Sequence, residues 1–565
     1  MRKLLVLWIL AAVSLAMADD SKISPDLKAK LSAPNATVVV QYNQPPSLLD
    51  LQAILNLAGT ILNNLPVVNG IVAQLPVSQI LSLSNQANVK YITLDRTQRS
   101  NLSNAAPAVN AFAAWQAGYT GAGIGVALVD SGVAAHPDLK GGLLGGSRVV
   151  WNQSFVPGNS SAVDQYGHGT HIAGLIAGNG ANSTGPSYTQ SFKGMAPGAN
   201  IINLRVLDQN GAGTDSAVIA AINTAILLKP LYNIRVINLS LGRPVYESYA
   251  LDPVCQAVEA AWRSGIVVVV AAGNDGRYQG TNGYATINSP GHDPYVITVG
   301  AMKPMGTPTR NDDLIASYSS KGPTAIDHIV KPDLVAPGNL LVSLESAGTL
   351  CNTYPGNHLP YSYYVNGGSS ASSTAYFTLS GTSMATGVVS GVVADLLQKS
   401  PQLTPDQVKA RLMKTAWKSF PASSSVYDPT TGLTYTDQYD IFTVGAGYVD
   451  VEAALASTDV AKGSAKSPTA AYDPKSGNVY FTNDPTAVWN SSAMWGSGTV
   501  WGSSQFVGST SAMWGSSAMW GSSAMWASST SEGFSTVWAG SAMWGSSAMW
   551  GSSAMWGSSV AAGEQ

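Results

Sequence analysis

Three short segments carry side chains that could do chemistry together. Val126-Ala127-Leu128-Val129-Asp130-Ser131-Gly132 ends an apolar run in a carboxylate and a glycine turn. Gly167-His168-Gly169-Thr170-His171-Ile172-Ala173-Gly174 opens a small-residue helix on a histidine. Ser380-Gly381-Thr382-Ser383-Met384-Ala385 leads into a helix read over 386–398. Each alone is weak, since a serine after glycine is commonly a turn or cap residue. Together they supply the parts for nucleophilic attack on a carbonyl. A serine hydroxyl is a poor nucleophile until a base within hydrogen-bond reach takes its proton, and that base needs an orienting carboxylate. In the chain order Asp, His, Ser, Asp130 would be the orienting group, His168 the base and Ser383 the nucleophile. A serine at a helix start has backbone N–H groups and the helix dipole near the developing negative charge.

On these motifs residues 101–457 resemble the subtilases, the subtilisin-like serine peptidases, whose triad runs in the same order. Gly194-Met195-Ala196-Pro197-Gly198-Ala199, Ser319-Ser320-Lys321-Gly322-Pro323 and Lys331-Pro332-Asp333-Leu334-Val335-Ala336-Pro337-Gly338 extend the resemblance. It implies a serine endopeptidase that works through an acyl-enzyme and is made as an autoprocessed zymogen. Asn274, in Ala271-Ala272-Gly273-Asn274, matches the family's oxyanion residue. Ser240-Leu241-Gly242 and Ala271-Ala272-Gly273 would wall the pocket for the residue before the cut. Gly211-Ala212-Gly213 would offer a backbone edge to an extended peptide. Small wall residues point to a roomy pocket and broad specificity. Asp275 reads as an exposed turn aspartate, with a rim role favouring basic side chains as the alternative.

The second histidine, His171, reads as a packing residue, because no Glu accompanies the pair in an H-E-x-x-H arrangement. One departure stands out: Thr386-Gly387 occupies the place where the family usually has proline. A glycine there costs conformational entropy, so a looser helix start is expected. No cofactor is required for the chemistry. Structural calcium is a tendency that the resemblance brings. Asp138 is the candidate ligand, and the segment 179–193, which contains no carboxylate, could still offer backbone carbonyls.

The elements that must position these groups are legible in outline. Apolar runs over 124–129, 201–206, 236–241, 266–272 and 296–299 alternate with helical stretches over 216–228 and 253–263. That alternation predicts an α/β fold, a mostly parallel sheet with helices on both faces. Ligands bind at strand carboxyl ends in such folds, which is where Asp130, Ser240 and Asn274 fall. Residues 19–100 read as a small α+β unit, ferredoxin-like, with strands over 37–41, 68–75 and 89–94 and helices over 47–62 and 78–84. By resemblance this unit is an inhibitory propeptide, the chain's own partner, cut somewhere between Leu94 and Ala106.

The 565 residues carry 11% charged side chains and a formal net charge of −3, which excludes a general nucleic-acid-binding surface. Arg2 and Lys3, an apolar run to Ala18 and the Ala16-Met17-Ala18 cleavage pattern read as a signal peptide over 1–18. Export leads to an oxidising compartment, secreted or cell-surface, so a Cys255–Cys351 bridge stays open. The catalytic domain spans 101–458, a connection 459–488, and a tail 489–565 repeats Ser-Ser-Ala-Met-Trp-Gly with a six-residue period. Ten of the chain's 15 Trp lie in that tail, so it reads as a low-complexity module contacting a surface or another protein. The competing function is a catalytically dead surface or adhesion protein presenting the tail. A narrow processing peptidase is a third reading.

Overall fold

The computed structural model describes residues 20–28, 34–95, 97–100, 112–141, 145–305, 310–428, 431–473, 478–482 and 505–507. The signal-peptide reading and nearly all of the repeat tail lie outside the described residues. The chain divides into two compact units, one of residues up to 64 with 69–94, the other of 65–68 with 95 onward.

The first unit has strands β1 (Asn35–Tyr42), β2 (Thr60–Leu65), β3 (Gly70–Pro76) and β4 (Val89–Leu94) in the sheet order β2-β3-β1-β4. With helices Leu48–Asn56 and Ile80–Ser84 between strands, this is the split βαβ arrangement that was expected. Its core includes Val38, Val40, Ile54, Ile71, Leu75, Ile80 and Ile92. The first helix is shorter than read. Ser47 and Asp50 close a capping box at its start. The chain then turns at Ala58-Gly59, where a Cβ on Gly59 would lie 2.6 Å from Leu75, and the residues read as a last helical turn become β2. The leucine pattern ran across a stop signal.

The second unit contains, in chain order, β5 (Thr97–Ser100), β6 (Gly125–Asp130), β7 (Val149–Ser154), β8 (Asn200–Arg205), β9 (Ala212–Thr214), β10 (Ile234–Leu239), β11 (Leu241–Gly242), β12 (Val267–Ala271), β13 (Ile297–Lys303), β14 (Leu314–Ile315), β15 (Leu334–Pro337), β16 (Leu341–Leu344), β17 (His358–Pro360) and β18 (Ser372–Leu379). Its main sheet runs β14-β13-β12-β10-β6-β8-β7, with β15 also on β13. The pairs β7–β8, β8–β6, β6–β10, β10–β12, β12–β13 and β13–β15 are parallel, and β13–β14 is antiparallel. Every residue of β6 and β12 is buried, so both faces of the sheet centre are covered. The fold is α/β.

Among the described residues the unit has four small sheets besides the main one: β16, β17 and β18 form one, β11-β5-β9 a second, Ser423–Asp428 with Leu433–Gln438 a third, and Thr469–Asp473, Asn478–Thr482 and Gln505–Val507 a fourth. The segment 459–488, read as a connection, is partly built into the unit. Ala461, Ala465 and Ser467 are buried, Ser467 Oγ donates to Asp333 Oδ1 at 2.5 Å, and Thr469–Asp473 pairs with Asn478–Thr482. Asp333 also takes Lys331 at 2.7 Å and Lys409 at 3.0 Å. A buried acid with two lysines recruits the chain that follows, a demand that linker composition does not reveal. The two cysteines are free thiols, each buried, and burial pushes both pKa values up, that of Cys351 to about 12.

Candidate active site

Asp130 ends β6, and its Oδ1 lies 2.8 Å from His168 Nδ1, with both side chains fully buried. The carboxylate therefore fixes the imidazole tautomer with the proton on Nδ1 and leaves Nε2 as the acceptor. Nε2 makes no hydrogen bond in this structure. Asp130 Oδ1 also accepts the Ser131 N–H at 2.7 Å.

His168 opens the helix His168–Ala177, whose N-cap Gly167 has φ 112° and no side chain to cap with. The exposed N–H groups of that first turn find acceptors elsewhere. Ser131 Oγ accepts from Gly169 N at 2.9 Å, and Asp164 Oδ2 accepts from Thr170 N at 2.8 Å and from Thr170 Oγ1 at 2.7 Å. Asp164 Oδ1 takes Tyr166 N at 3.0 Å, Gly167 N at 2.7 Å and Ser131 Oγ at 2.9 Å. One carboxylate thus ties the turn after Asp130 to both sides of His168. Sequence reasoning missed Asp164, although an acid four residues before a glycine-flanked helix start is a capping signal. Gly169 must be glycine for closeness, since a Cβ there would lie 2.2 Å from the Gly132 carbonyl.

Ser383 is the second residue of the helix Thr382–Lys399, which starts four residues before the reading and runs unbroken through Gly387. The expected loosening is therefore corrected. Gly387 lies in the second turn, not the first, and a Cβ there would meet Ile172 and Leu175 of the His168 helix at 3.4 Å. Ser383 Oγ donates to the Ser240 carbonyl at 3.1 Å, and Ser240 Oγ returns a bond to the Ser383 carbonyl at 2.9 Å.

Asn274 follows β12 by three residues, at the carboxyl end of the sheet. Its Oδ1 accepts both the N–H and the hydroxyl of Thr382, each at 3.0 Å. That fixes the amide orientation and leaves Nδ2 as a donor. Gly273, with φ 114°, lets the backbone pass close, because a Cβ would lie 2.6 Å from Asn288. Asp275 is half-buried and not the exposed turn residue expected; burial raises its carboxyl pKa to about 7, and Asn288 opposes the shift.

The expected substrate edges are brought together by the chain itself. β5 pairs antiparallel with β9, Gln98 opposite Gly213 and Arg99 opposite Ala212, and with β11, Ser100 opposite Leu241 and Arg99 opposite Gly242. Gly211, with φ 71°, packs under the Tyr166 ring, 2.3 Å from where its Cβ would be. Ala271, Ala272 and Gly273 are buried.

Asp138, the residue named for calcium, already has a protein donor on each carboxylate oxygen. Asp138 Oδ1 accepts Asn182 N at 2.7 Å and Oδ2 accepts the Tyr376 hydroxyl at 2.8 Å. Its main-chain carbonyl takes Arg148 Nη2 at 2.6 Å. A second cluster, Asp252, Cys255 and His292, has ligand-type atoms within 4.8 Å of one another. Asp252 Oδ2 is already held by Arg243 Nη2 at 2.8 Å and Ser289 Oγ at 2.7 Å, and a guanidinium repels a second cation.

Comparison with known proteins agrees with this geometry. Residues 121–447 match the subtilase family model. The chain is 39% identical over 337 residues to "Serine protease AprX" of Bacillus subtilis (strain 168), covering 58% of this chain and 70% of that protein. It is 36% identical over 338 residues to "Subtilisin DY" of Bacillus licheniformis, covering 60% of this chain and 92% of the relative. Among solved structures, fervidolysin from Fervidobacterium pennivorans superposes with a TM-score of 0.54 at 23% identity, over 76% of this chain and 62% of fervidolysin. That last likeness concerns the fold alone. The chain belongs to the subtilase family and is a serine-type endopeptidase.

Proposed function

We propose that this endopeptidase is exported, is made as a zymogen and cleaves extended polypeptides through Asp130, His168 and Ser383. The observation that carries the reading is the buried 2.8 Å contact of Asp130 with His168, with Nε2 left as an acceptor. Ser383 turns from the Ser240 carbonyl to His168 Nε2 and gives up its proton there. Its Oγ bonds to the scissile carbonyl carbon, and the oxyanion is held by Asn274 Nδ2 and the Ser383 N–H. The tetrahedral species collapses, the C–N bond breaks, and His168 passes its proton to the leaving amine. Water then repeats the sequence on the acyl-enzyme and frees Ser383. Asp130 stabilises the imidazolium throughout.

The pairing of β5 with β9 and β11 supports self-processing. Leu241 faces Ser100. The next residue on the wall side is Ser240, whose carbonyl takes the Ser383 hydroxyl, and the residue that follows Ser100 is Asn101. The bond cut in maturation is therefore Asn101–Leu102, with residues 19–101 as the propeptide. Substrates then enter as the middle strand of that same small sheet, held through main-chain bonds. The small residues of the walls favour broad side-chain tolerance. Calcium has no part in this reading, and the repeat tail is a separate module for a surface or protein partner. The 1–18 leader supports export, and among the described residues no helix is long and apolar enough to cross a membrane.

The test is expression of the full chain beside Ser383→Ala, with intact-mass measurement of the products. A parent that starts at Leu102 and a variant that retains residues 19–101 support the reading. Identical processing of both, with no reaction of the parent toward a fluorophosphonate, sinks it.

A further inference from the structure

The mechanism above leaves a buried histidine beside the site unused. His171 lies one helical turn after His168 and is fully buried. Its Nε2 is 3.1 Å from the Leu341 carbonyl and 3.2 Å from the Phe377 carbonyl, on β16 and β18 respectively. Two carbonyls at one nitrogen require that nitrogen to carry the hydrogen. Nδ1 has no partner. Burial, with His168 adding to it, pulls the His171 pKa down to about 3, so the ring is a neutral donor at working pH. From the other side, Ser343 Oγ on β16 donates to the His171 carbonyl at 2.7 Å.

These contacts join two pieces of chain that must be in register for the reaction. The helix His168–Ala177 carries the base. β18 ends at Leu379, four residues before Ser383, and leads straight into the helix that carries the nucleophile. In this structure Ser383 Oγ bonds to Ser240 and His168 Nε2 is unpartnered, so the base–nucleophile hydrogen bond has still to close. How well it closes depends on the distance between the two elements. A misplacement of about 1 Å in such a pair costs about a hundredfold in rate.

We infer that His171 is a positioning residue for peptide hydrolysis: its imidazole and carbonyl hold the His168 helix against β16 and β18, and thereby set the reach of His168 to Ser383. This rests on the proposed roles of His168 and Ser383. His171 touches neither substrate nor the reacting atoms.

The test compares the full-length parent, His171→Gln, His171→Leu and Ser343→Ala after maturation. Competent sites are counted with a fluorophosphonate, and kcat and KM are measured on a peptide amide well below each unfolding midpoint. A glutamine amide places a donor where Nε2 stands, and leucine fills the space without one. The Leu variant should lose about 10- to 100-fold in kcat with KM within about twofold, while Gln stays within about threefold of the parent. A Leu variant with parental kcat overturns the inference, as does a Gln variant that loses as much as Leu. Where the Leu variant does not fold, Ser343→Ala decides. A lowered kcat at constant KM supports the role, and a parental kcat overturns it. A parent inert to both fluorophosphonate and substrate fails the triad reading itself, a result distinct from any ranking among variants.

Discussion

Thr382 binds the Asn274 side chain twice, through its N–H and its hydroxyl, both on Oδ1 at 3.0 Å. The residue before Ser383 thereby fixes the orientation of the Asn274 amide, the proposed oxyanion donor. The Thr382 hydroxyl also accepts Gly273 N at 3.2 Å, so it locks the loop as well as the side chain. Replacing Asn274 by Ala should lower kcat about 10²–10³-fold with little change in KM, the usual cost of one oxyanion donor. Thr382→Val keeps the N–H contact and the shape, and should lower kcat by about tenfold or less. Steady-state kinetics on active-site-titrated enzyme check both, and a Thr382→Val change confined to KM would contradict the aiming role.

Maturation gives a sharper number. On the proposed self-processing, extrapolation of the β5–β11 register puts the cut at Asn101–Leu102, so amino-terminal sequencing of the mature enzyme should read Leu102, Ser103, Asn104. Asp95 Oδ1 accepts Ser216 N at 2.6 Å, which anchors the approach to β5. Asp95→Ala should slow conversion of the zymogen while leaving the mature enzyme's kcat unchanged, because the residue is lost with the propeptide. A start elsewhere in 101–106 would break the register argument.

Asp164 accepts five hydrogen bonds around the Asp130–His168 pair. Asp164→Asn puts an amide N–H against one group of donors and leaves them unsatisfied in a buried place. The expected loss is about 1–3 kcal/mol in stability and about tenfold or more in kcat. Thermal unfolding and kinetics below the new midpoint separate the two effects.

Asp395, inside the nucleophile helix, is fully buried, and neither carboxylate oxygen has a partner. Burial raises its folded-state pKa to about 9. Its unfolded value is about 3.9, so the folded state binds the proton more tightly. Its contribution to stability is then greatest below about pH 4 and declines as pH rises toward about 9. Asp395→Asn, neutral at every pH, should raise the unfolding midpoint at pH 9 more than at pH 5. In the Ser383→Ala background, which prevents autolysis, a midpoint gain equal at both pH values would refute the assignment.

Asp138 spends both carboxylate oxygens on Asn182 and Tyr376. The Tyr376 ring is wedged against Phe192 at 4.7 Å and Tyr364 at 5.2 Å between centroids. Chelation of calcium should therefore leave the fold around Asp138 intact. Tyr376→Phe should cost about 1.5–3 kcal/mol, the range for a hydrogen bond to a charged group, by the same amount with and without EDTA. A loss from EDTA in the parent that Asp138→Asn abolishes would show a metal at Asp138.

The local parts of this protein were legible in its residues. Asp130, His168, Ser383 and Asn274 sit in short motifs whose glycines and small residues are demanded by tight turns and close approaches. Strand identity in the second unit followed from continuous apolar runs such as 266–272, because a strand covered on both faces has no polar side to show. The misread pieces were those whose signal was shared or non-local. The helix over 47–62 absorbed β2 because leucine spacing does not mark where a chain turns back. The segment 459–488 resembled a linker because what holds Ser467 is Asp333, 134 residues away.

From the sequence alone came the chemistry available, its order along the chain and the family that uses it. The tertiary structure alone decided how those groups meet. Asp130 reaches His168 across 38 residues, Thr382 reaches Asn274 across 108 and Ser383 reaches Ser240 across 143. Likewise, only the fold kept Cys255 and Cys351 apart as thiols, gave both oxygens of Asp138 to protein donors and set His171 between the base helix and the strand leading to the nucleophile. Residue type and spacing encode what a group can do. Whether a hydrogen bond forms depends on a distance of about 3 Å, which the packing of remote elements sets.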